Sequence, residues 1–369
     1  MKKWVICLLL LSLCLSGCAK PAEPVQMYLL TEIVVYKGSD AEPTKPLTCR
    51  YNENGLLLEM KERGCVERFY YDQKGNLESR VQTNNIGRVI ALNPDGNVLW
   101  AQSEGTRRQC TYDGRGNLLT DTLTVDGVVE RDDCYSYVYT KYGDVQQRTV
   151  TNKDGRTVVA NYRYTYDKQG RKLTQEKLLT NGGSDIIKYA YNESGLLLKE
   201  ERLPNKSKGQ TWTYTYDQEG RLLSKSYEYS GLIQSTDYTY DELGRKKTTQ
   251  RWDHSLLVWT KEWTYDDATG LVKYCVRTDG LGDQTHWWEW TYDDATGELK
   301  SRVETSSDGD QILREYDYGG KLVTIIEGSK RTEFHYEEVT VPGAFAQRAE
   351  AEQEKLIDDY LNPPPTMIN

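Results

Sequence analysis

The chain has 369 residues and a formal net charge of −9, from 47 basic and 56 acidic side chains. That acidity argues against a nucleic-acid partner, because phosphate binding calls for clustered positive charge, and no basic amphipathic stretch offers electrostatic adhesion to a membrane. Twenty-eight tyrosines stand against three phenylalanines, a ratio that a dry core would not favour.

At the N-terminus Lys2 and Lys3 precede an apolar run from Trp4 to Leu15. The run is shorter than the ~20 residues a spanning helix needs and closes on small residues, so residues 1–17 read as a secretion signal. Leu15-Ser16-Gly17-Cys18 resembles the lipobox of bacterial lipoproteins, which implies cleavage before Cys18 and a lipid on its thiol; the alternative is an ordinary secretory signal with an incidental cysteine. Residues 18–26 are polar, carry prolines and suit a tether. The expected location is outside the cytoplasmic membrane, at the cell surface or in the periplasm, with membrane contact through the lipid. Loss of residues 1–17 leaves 45 basic against 56 acidic side chains, a mature charge near −11.

Residues 27–36, MYLLTEIVVY, read as an apolar first strand capping one edge of a sheet. Then a unit begins to repeat: an aromatic residue, an Asp or Asn, and a glycine three residues further on. It stands at Tyr51, Tyr71, Tyr112, Tyr166, Tyr191, Tyr216 and Tyr240, and with one extra turn residue at Tyr265 and Tyr292. Degenerate copies fall at Leu92, Tyr139 and Tyr318, and Tyr336 opens a last half unit. Before each anchor the residues alternate, as in Trp212, Tyr214 and Tyr216 against Thr211, Thr213 and Thr215. That period of two predicts a strand. Asp-x-x-Gly predicts a turn, because Asp bonds the backbone beyond it and glycine accepts positive φ. Apolar residues such as Leu222 and Leu223 start the return strand.

The series aromatic-x-Tyr-Asp-x-x-Gly-Arg-Leu, best at residues 214–223 and close at 164–173 and 238–247, resembles the YD repeat of Rhs-type bacterial surface and toxin proteins. The resemblance spans nearly all of the mature chain and implies a spiralling β-strip. The expected departures from that family are a lipid anchor, the lack of the family's self-cleavage core, and the lack of a toxin domain. The expected fold is all-β: an elongated or coiled antiparallel sheet of about 13 YD-type hairpins over residues 27–340, a capping helix over 341–361 and a loose tail over 362–369. Some 26 strands spaced about 4.8 Å make a strip of roughly 125 Å, enough for one loose turn, so an open curved sheet is expected.

The tyrosines should form a half-wet ladder holding a thin sheet together. The same face could bind a carbohydrate or a protein, and its densest candidates are Trp252, Trp259, Trp263, Trp287, Trp288 and Trp290; of these, Trp263, Trp288 and Trp290 fall in the strands' aromatic register. Asp266-Asp267 and Asp293-Asp294 lie in turns that need an Asp, and no nucleophile elbow, HExxH or phosphate loop appears, so no enzyme is expected. Calcium at the turn aspartates would require alternating oxygen ligands that this spacing lacks. Cys49, Cys65, Cys110, Cys134 and Cys275, with His254, His286 and His335 scattered singly, fit packed or idle thiols, one disulfide remaining open, and no cofactor or metal is implied. The function expected is a non-catalytic binding or scaffold module. The alternatives are an accessory or remnant of an Rhs-type toxin or contact system, and a glycan hydrolase.

Overall fold

The computed structural model of the chain describes residues 23–38, 43–44, 46–179, 182–317 and 319–362. The secretion signal 1–17, Cys18, most of the tether, Tyr318 and residues 363–369 of the expected tail lie outside the described residues. Twenty-six strands, numbered β1 to β26 in chain order, form one sheet, and a single helix, α1 (Gly343–Leu361), follows. No helix among the described residues is long and apolar enough to cross a membrane.

One hairpin, β16 (Gln210–Tyr216) with β17 (Leu222–Tyr229), shows why the sequence folds this way. Thr213 and Thr215 are exposed while Trp212, Tyr214 and Tyr216 are half-buried, so the alternation does sort one face from the other. In the turn, Asp217 N–H donates to the Arg221 carbonyl at 3.0 Å and Gly220 N–H to the Asp217 carbonyl at 3.1 Å. Asp217 Oδ1 accepts the Arg221 N–H at 2.8 Å, and Gly220 sits at φ +82°, where a side chain would be strained. The register then steps, so that Tyr216 opposes Leu222 across a bulge. The same step occurs at the degenerate copies Leu92 and Tyr139. In the last full hairpin it falls at Tyr316, which opposes Leu322, so Tyr316 rather than Tyr318 holds the anchor position.

Contacts divide the chain into two units. The larger comprises the described residues between 30 and 50 and between 58 and 336. Within it β2 (Leu47–Tyr51) to β25 (Lys321–Glu327) run as consecutive hairpins, and β1 (Val25–Lys37) pairs with both β2 and β26 (Lys330–Val341). Glu32 opposes Thr48 on one side; on the other, Gly38 N–H donates to the Ser329 carbonyl and Thr31 Oγ1 to the His335 carbonyl. The expectation of an open strip is therefore corrected to a closed 26-stranded barrel. The strip length estimated for one loose turn is used up in one closed turn, and the half unit at Tyr336 obtains its second strand from the other end of the chain. The physical reason lies in β1: Leu30, Ile33, Val34 and Val35 are all buried, neighbours on opposite faces included, and an edge strand would leave one row of its backbone groups unpaired. Leu47, Cys49, Leu322 and Phe334 are buried as well, so most of the buried apolar residues of this unit lie where the ends of the ring meet, with Ala91, Leu92, Cys110 and Cys275 buried elsewhere in the sheet.

Of the described residues, the smaller unit comprises 23–29, 51–57 and 337–362. There Met27, Leu29, Val341 and Ala349 form a cluster with Tyr51, Val339 and Ala346 packed around it. α1 buries Ala349, Gln353 and Leu356, one stripe at helical spacing. Gln353 is tolerated there because its Nε2 donates to the Tyr28 carbonyl at 3.0 Å. β1 starts at Val25, inside the segment expected to be tether.

Candidate functional site: the aromatic face

The anchor tyrosines explain the scarcity of phenylalanine. Between β17 and β18 (Leu232–Tyr240) the ladder ends at Ser224 opposite Asp237, which leaves the Leu222 carbonyl two residues beyond it. Tyr240 Oη donates to that carbonyl at 2.9 Å. The arrangement recurs: Tyr191 reaches Lys172, Tyr216 reaches Leu197, Tyr265 reaches Lys246, and Tyr292 reaches Val272, at 2.7 to 3.0 Å. Tyr336 continues it to Leu322 at 2.8 Å. Each of these hairpins is thus stapled to the one before it by a hydroxyl that extends the strand ladder past its end. The ladder is half-buried at these positions, and each hydroxyl has a backbone carbonyl as its partner.

The arginine after the turn glycine has a similar role. Arg171, Arg221 and Arg245 each bring Nε to the carboxylate of their own turn aspartate, at 2.5 to 2.6 Å. Their guanidinium groups then lie 4.3 to 4.9 Å over the rings of Tyr191, Tyr240 and Tyr265. Deeper on the same face Asp121, 4 % exposed, accepts from Arg108 Nε at 2.8 Å and Arg131 Nη1 at 2.9 Å. Burial pushes its pKa up, but the two arginines prevail and hold it below the usual carboxylate value.

The staple changes at the degenerate copy, and a concavity results. There Tyr137, two residues before the anchor, bonds the Leu118 carbonyl at 2.8 Å, which frees the anchor Tyr139 to donate to the Asp113 carboxylate. That bond, with the turn amides, holds Asp113 down to about 2. In the next hairpin Tyr164 bonds the Val145 carbonyl, and Tyr166 donates to Asp144, which also pairs with Lys172 at 2.6 Å. Between these groups lies a cleft of about 520 Å³ whose lining includes Tyr137, Tyr139, Tyr162, Tyr164, Arg148 and Lys172. Burial pushes Tyr164 up to about 12. The cleft offers aromatic walls with ammonium and guanidinium donors. The sequence signal for it was the loss of Asp after Tyr139, where Thr140 stands instead.

The six tryptophans do not form one cluster. Four lie on the tyrosine face: Trp259 and Trp263 on β20 (Leu256–Tyr265), and Trp288 and Trp290 on β22 (Gln284–Tyr292). Trp252 opposes Ser235 and Trp287 opposes Val276, which places both on the other face. All six are half-buried. The face of Trp288 is already covered by Lys261 Nζ at 4.2 Å, and Trp259 has Arg277 at 5.4 Å.

Of the five cysteines of the described residues, Cys49, Cys110 and Cys275 are buried and Cys65 and Cys134 are exposed. Burial pushes the Cys275 thiol up to about 11, which leaves little thiolate for chemistry at neutral pH. Among the described residues no group of three or more His, Cys, Asp and Glu side chains is placed to hold a metal.

No family model matches the sequence, and no curated protein matches it. Among solved structures the chain is similar to TcdB2-TccC3-TEV, with 16% identity and a TM-score of 0.40 over 77% of this chain and 15% of that one. It is similar to the Photorhabdus luminescens Tc holotoxin pore at 12% identity and a TM-score of 0.37, covering 86% of this chain and 21% of that one. A porin-like protein from Bacteroides uniformis is similar at 11% identity and a TM-score of 0.23, covering 84% and 98%. The chain thus spans about a fifth or less of the first two.

Proposed function

We propose that this chain is a bacterial YD-repeat protein of the Rhs type, lipid-anchored through Cys18 outside the cytoplasmic membrane. It acts as a non-catalytic binding or scaffold module whose polar, aromatic face takes a carbohydrate or protein ligand. The observation that carries this reading is the cleft at Tyr137, Tyr162 and Tyr164, where Arg148 and Lys172 stand beside aromatic walls. The non-catalytic part is supported by the engagement of the turn carboxylates. Asp266 Oδ1 accepts the N–H groups of Ala268 and Thr269, and Asp293 does the same for Ala295 and Thr296. A carboxylate held this way is a poor proton carrier, and Asp293 is driven well below the ordinary range by Lys300 and those amides.

The test is a glycan and cell-surface binding screen with the full-length chain in detergent, repeated with Tyr162→Ala and Arg148→Ala. Binding that either variant weakens at least tenfold supports the reading. A glycan that is turned over, or binding indifferent to both variants, contradicts it. Labelling with a fatty-acid analogue should mark the wild-type chain and not Cys18→Ala.

A further inference from the structure

Most arginines of the tyrosine face described above are neutralised by a carboxylate or stacked on a ring. The region from β20 to β24 (Gln311–Asp317) adds a feature those positions lack, cations set directly opposite one another. Lys261 stands directly opposite Arg277 on β21 (Val272–Asp279), and Arg302 on β23 (Leu299–Ser306) stands directly opposite Arg314 on β24. Like charges opposed across a ladder are destabilising, and this face holds two such pairs three strand steps apart. Among the described residues Lys261 and Arg277 have no carboxylate at ion-pair distance, and Glu304 only approaches Arg302 and Arg314, at 3.7 and 3.8 Å. Arg277 Nε, Arg302 Nε and Arg314 Nη1 are buried with no hydrogen-bond partner, where such donors are ordinarily satisfied. Burial, and then Arg302 beside it, hold the Arg314 guanidinium below its ordinary pKa.

We propose that this patch is a docking site for an acidic polypeptide segment, whose carboxylates would pair with the guanidinium forks of Arg277, Arg302 and Arg314. Charge complementarity carries the choice, since the patch is locally cationic on a chain of net charge −9 and Arg forks match carboxylates bidentately. Trp288 and Trp259 are already occupied by Lys261 and Arg277, so ring stacking on a neutral sugar is not what the patch offers. Because the sheet has no free edge, the segment is read by its side chains rather than by strand addition. The two cation pairs are separated by three strands across and four residues along, roughly 20 Å, the span of about six extended residues.

This inference rests on the reading of the aromatic face as a binding surface but can fail separately from it. The experiment is titration of the full-length chain in detergent with poly-L-glutamate and, in parallel, with polygalacturonate, at low and at physiological salt, followed by tryptophan fluorescence. Poly-L-glutamate should bind with an affinity that falls with salt, and at least tenfold in the Arg302→Met/Arg314→Met chain. Relief of the like-charged pair offsets the loss of both partners of Glu304, so the thermal midpoint of that chain should stay near the wild-type value, which separates lost binding from lost folding. Binding unchanged in that chain, a preference for polygalacturonate, or no binding of either polymer overturns the proposal. Ligand capture dependent on Arg148 and Tyr162 would survive any of those results.

Discussion

If hydroxyl staples hold neighbouring hairpins together, replacing an anchor tyrosine with phenylalanine should cost stability although no apolar surface is lost. Tyr191, Tyr216 and Tyr240 donate to the carbonyls of Lys172, Leu197 and Leu222 at 2.9 to 3.0 Å. A net hydrogen bond contributes about 0.5–1.5 kcal/mol, and an orphaned buried carbonyl costs about 1–3 kcal/mol. These sites are half-buried, so the carbonyl regains some water and the expected loss is about 1 kcal/mol per site. Successive anchors are two strands apart, about 10 Å, far enough for the effects to add, so the triple variant should lose about 3 kcal/mol. Tyr214→Phe is the internal control: it lies on the same strand and face as Tyr216, but its hydroxyl makes no hydrogen bond among the described residues, and its loss should cost under about 0.5 kcal/mol. Urea unfolding followed by circular dichroism measures the differences, compared only where the denaturant slope is unchanged. Anchor variants no less stable than Tyr214→Phe would refute the staple.

Three further outcomes follow from the same geometry. Gly55→Ala places a methyl 2.7 Å from Val341 Cγ1 at φ +76°, whereas Gly297→Ala at φ +74° meets nothing within 4 Å. The second should therefore cost about 1–2 kcal/mol for its backbone alone, and the first about 1–3 kcal/mol more in thermal denaturation. The Arg108→Met/Arg131→Met chain strands the buried Asp121 carboxylate and should lose about 3 kcal/mol. Since the folded pKa of Asp121 lies below its unfolded value near 4, its contribution is present above that pH and lost as pH falls through the folded value; the double variant should unfold at higher pH in an acid titration. At the alkaline end Tyr112 and Tyr164 are pushed up to about 12, mainly by burial, against about 10 when unfolded. The stability they carry is full below pH ~10 and lost between about 10 and 12. Tyrosinate absorbance should therefore appear late and together with the loss of circular dichroism; free titration near 10 with the fold intact would contradict this.

The hairpins were legible because each carries its own instructions: alternation before the anchor, Asp to bond the turn, glycine for positive φ. Closure was not, because it depends on residues about 300 positions apart, and an apolar strand reads alike as an edge cap or as the seam of a ring. The role of the arginine in Gly-Arg was not legible either, since its two partners, the turn aspartate and the next tyrosine, meet only once the strands are stacked. The tryptophans misled for a related reason. Trp287 and Trp288 are adjacent in sequence and on opposite faces, while Trp259 joins Trp288 through Lys261 across one intervening strand, β21. The cleft at Tyr139 lay in a copy degenerate enough to be read as decay.

Hydrogen exchange along β1 and β26 tests most directly the claim that each hairpin leans on the next and the last on the first. If the ring is closed, amides on both sides of Leu30–Tyr36 and Lys330–Tyr336 should exchange as slowly as those of β16 and β17. Alternate amides of β26 exchanging at the rate of an open edge would contradict it.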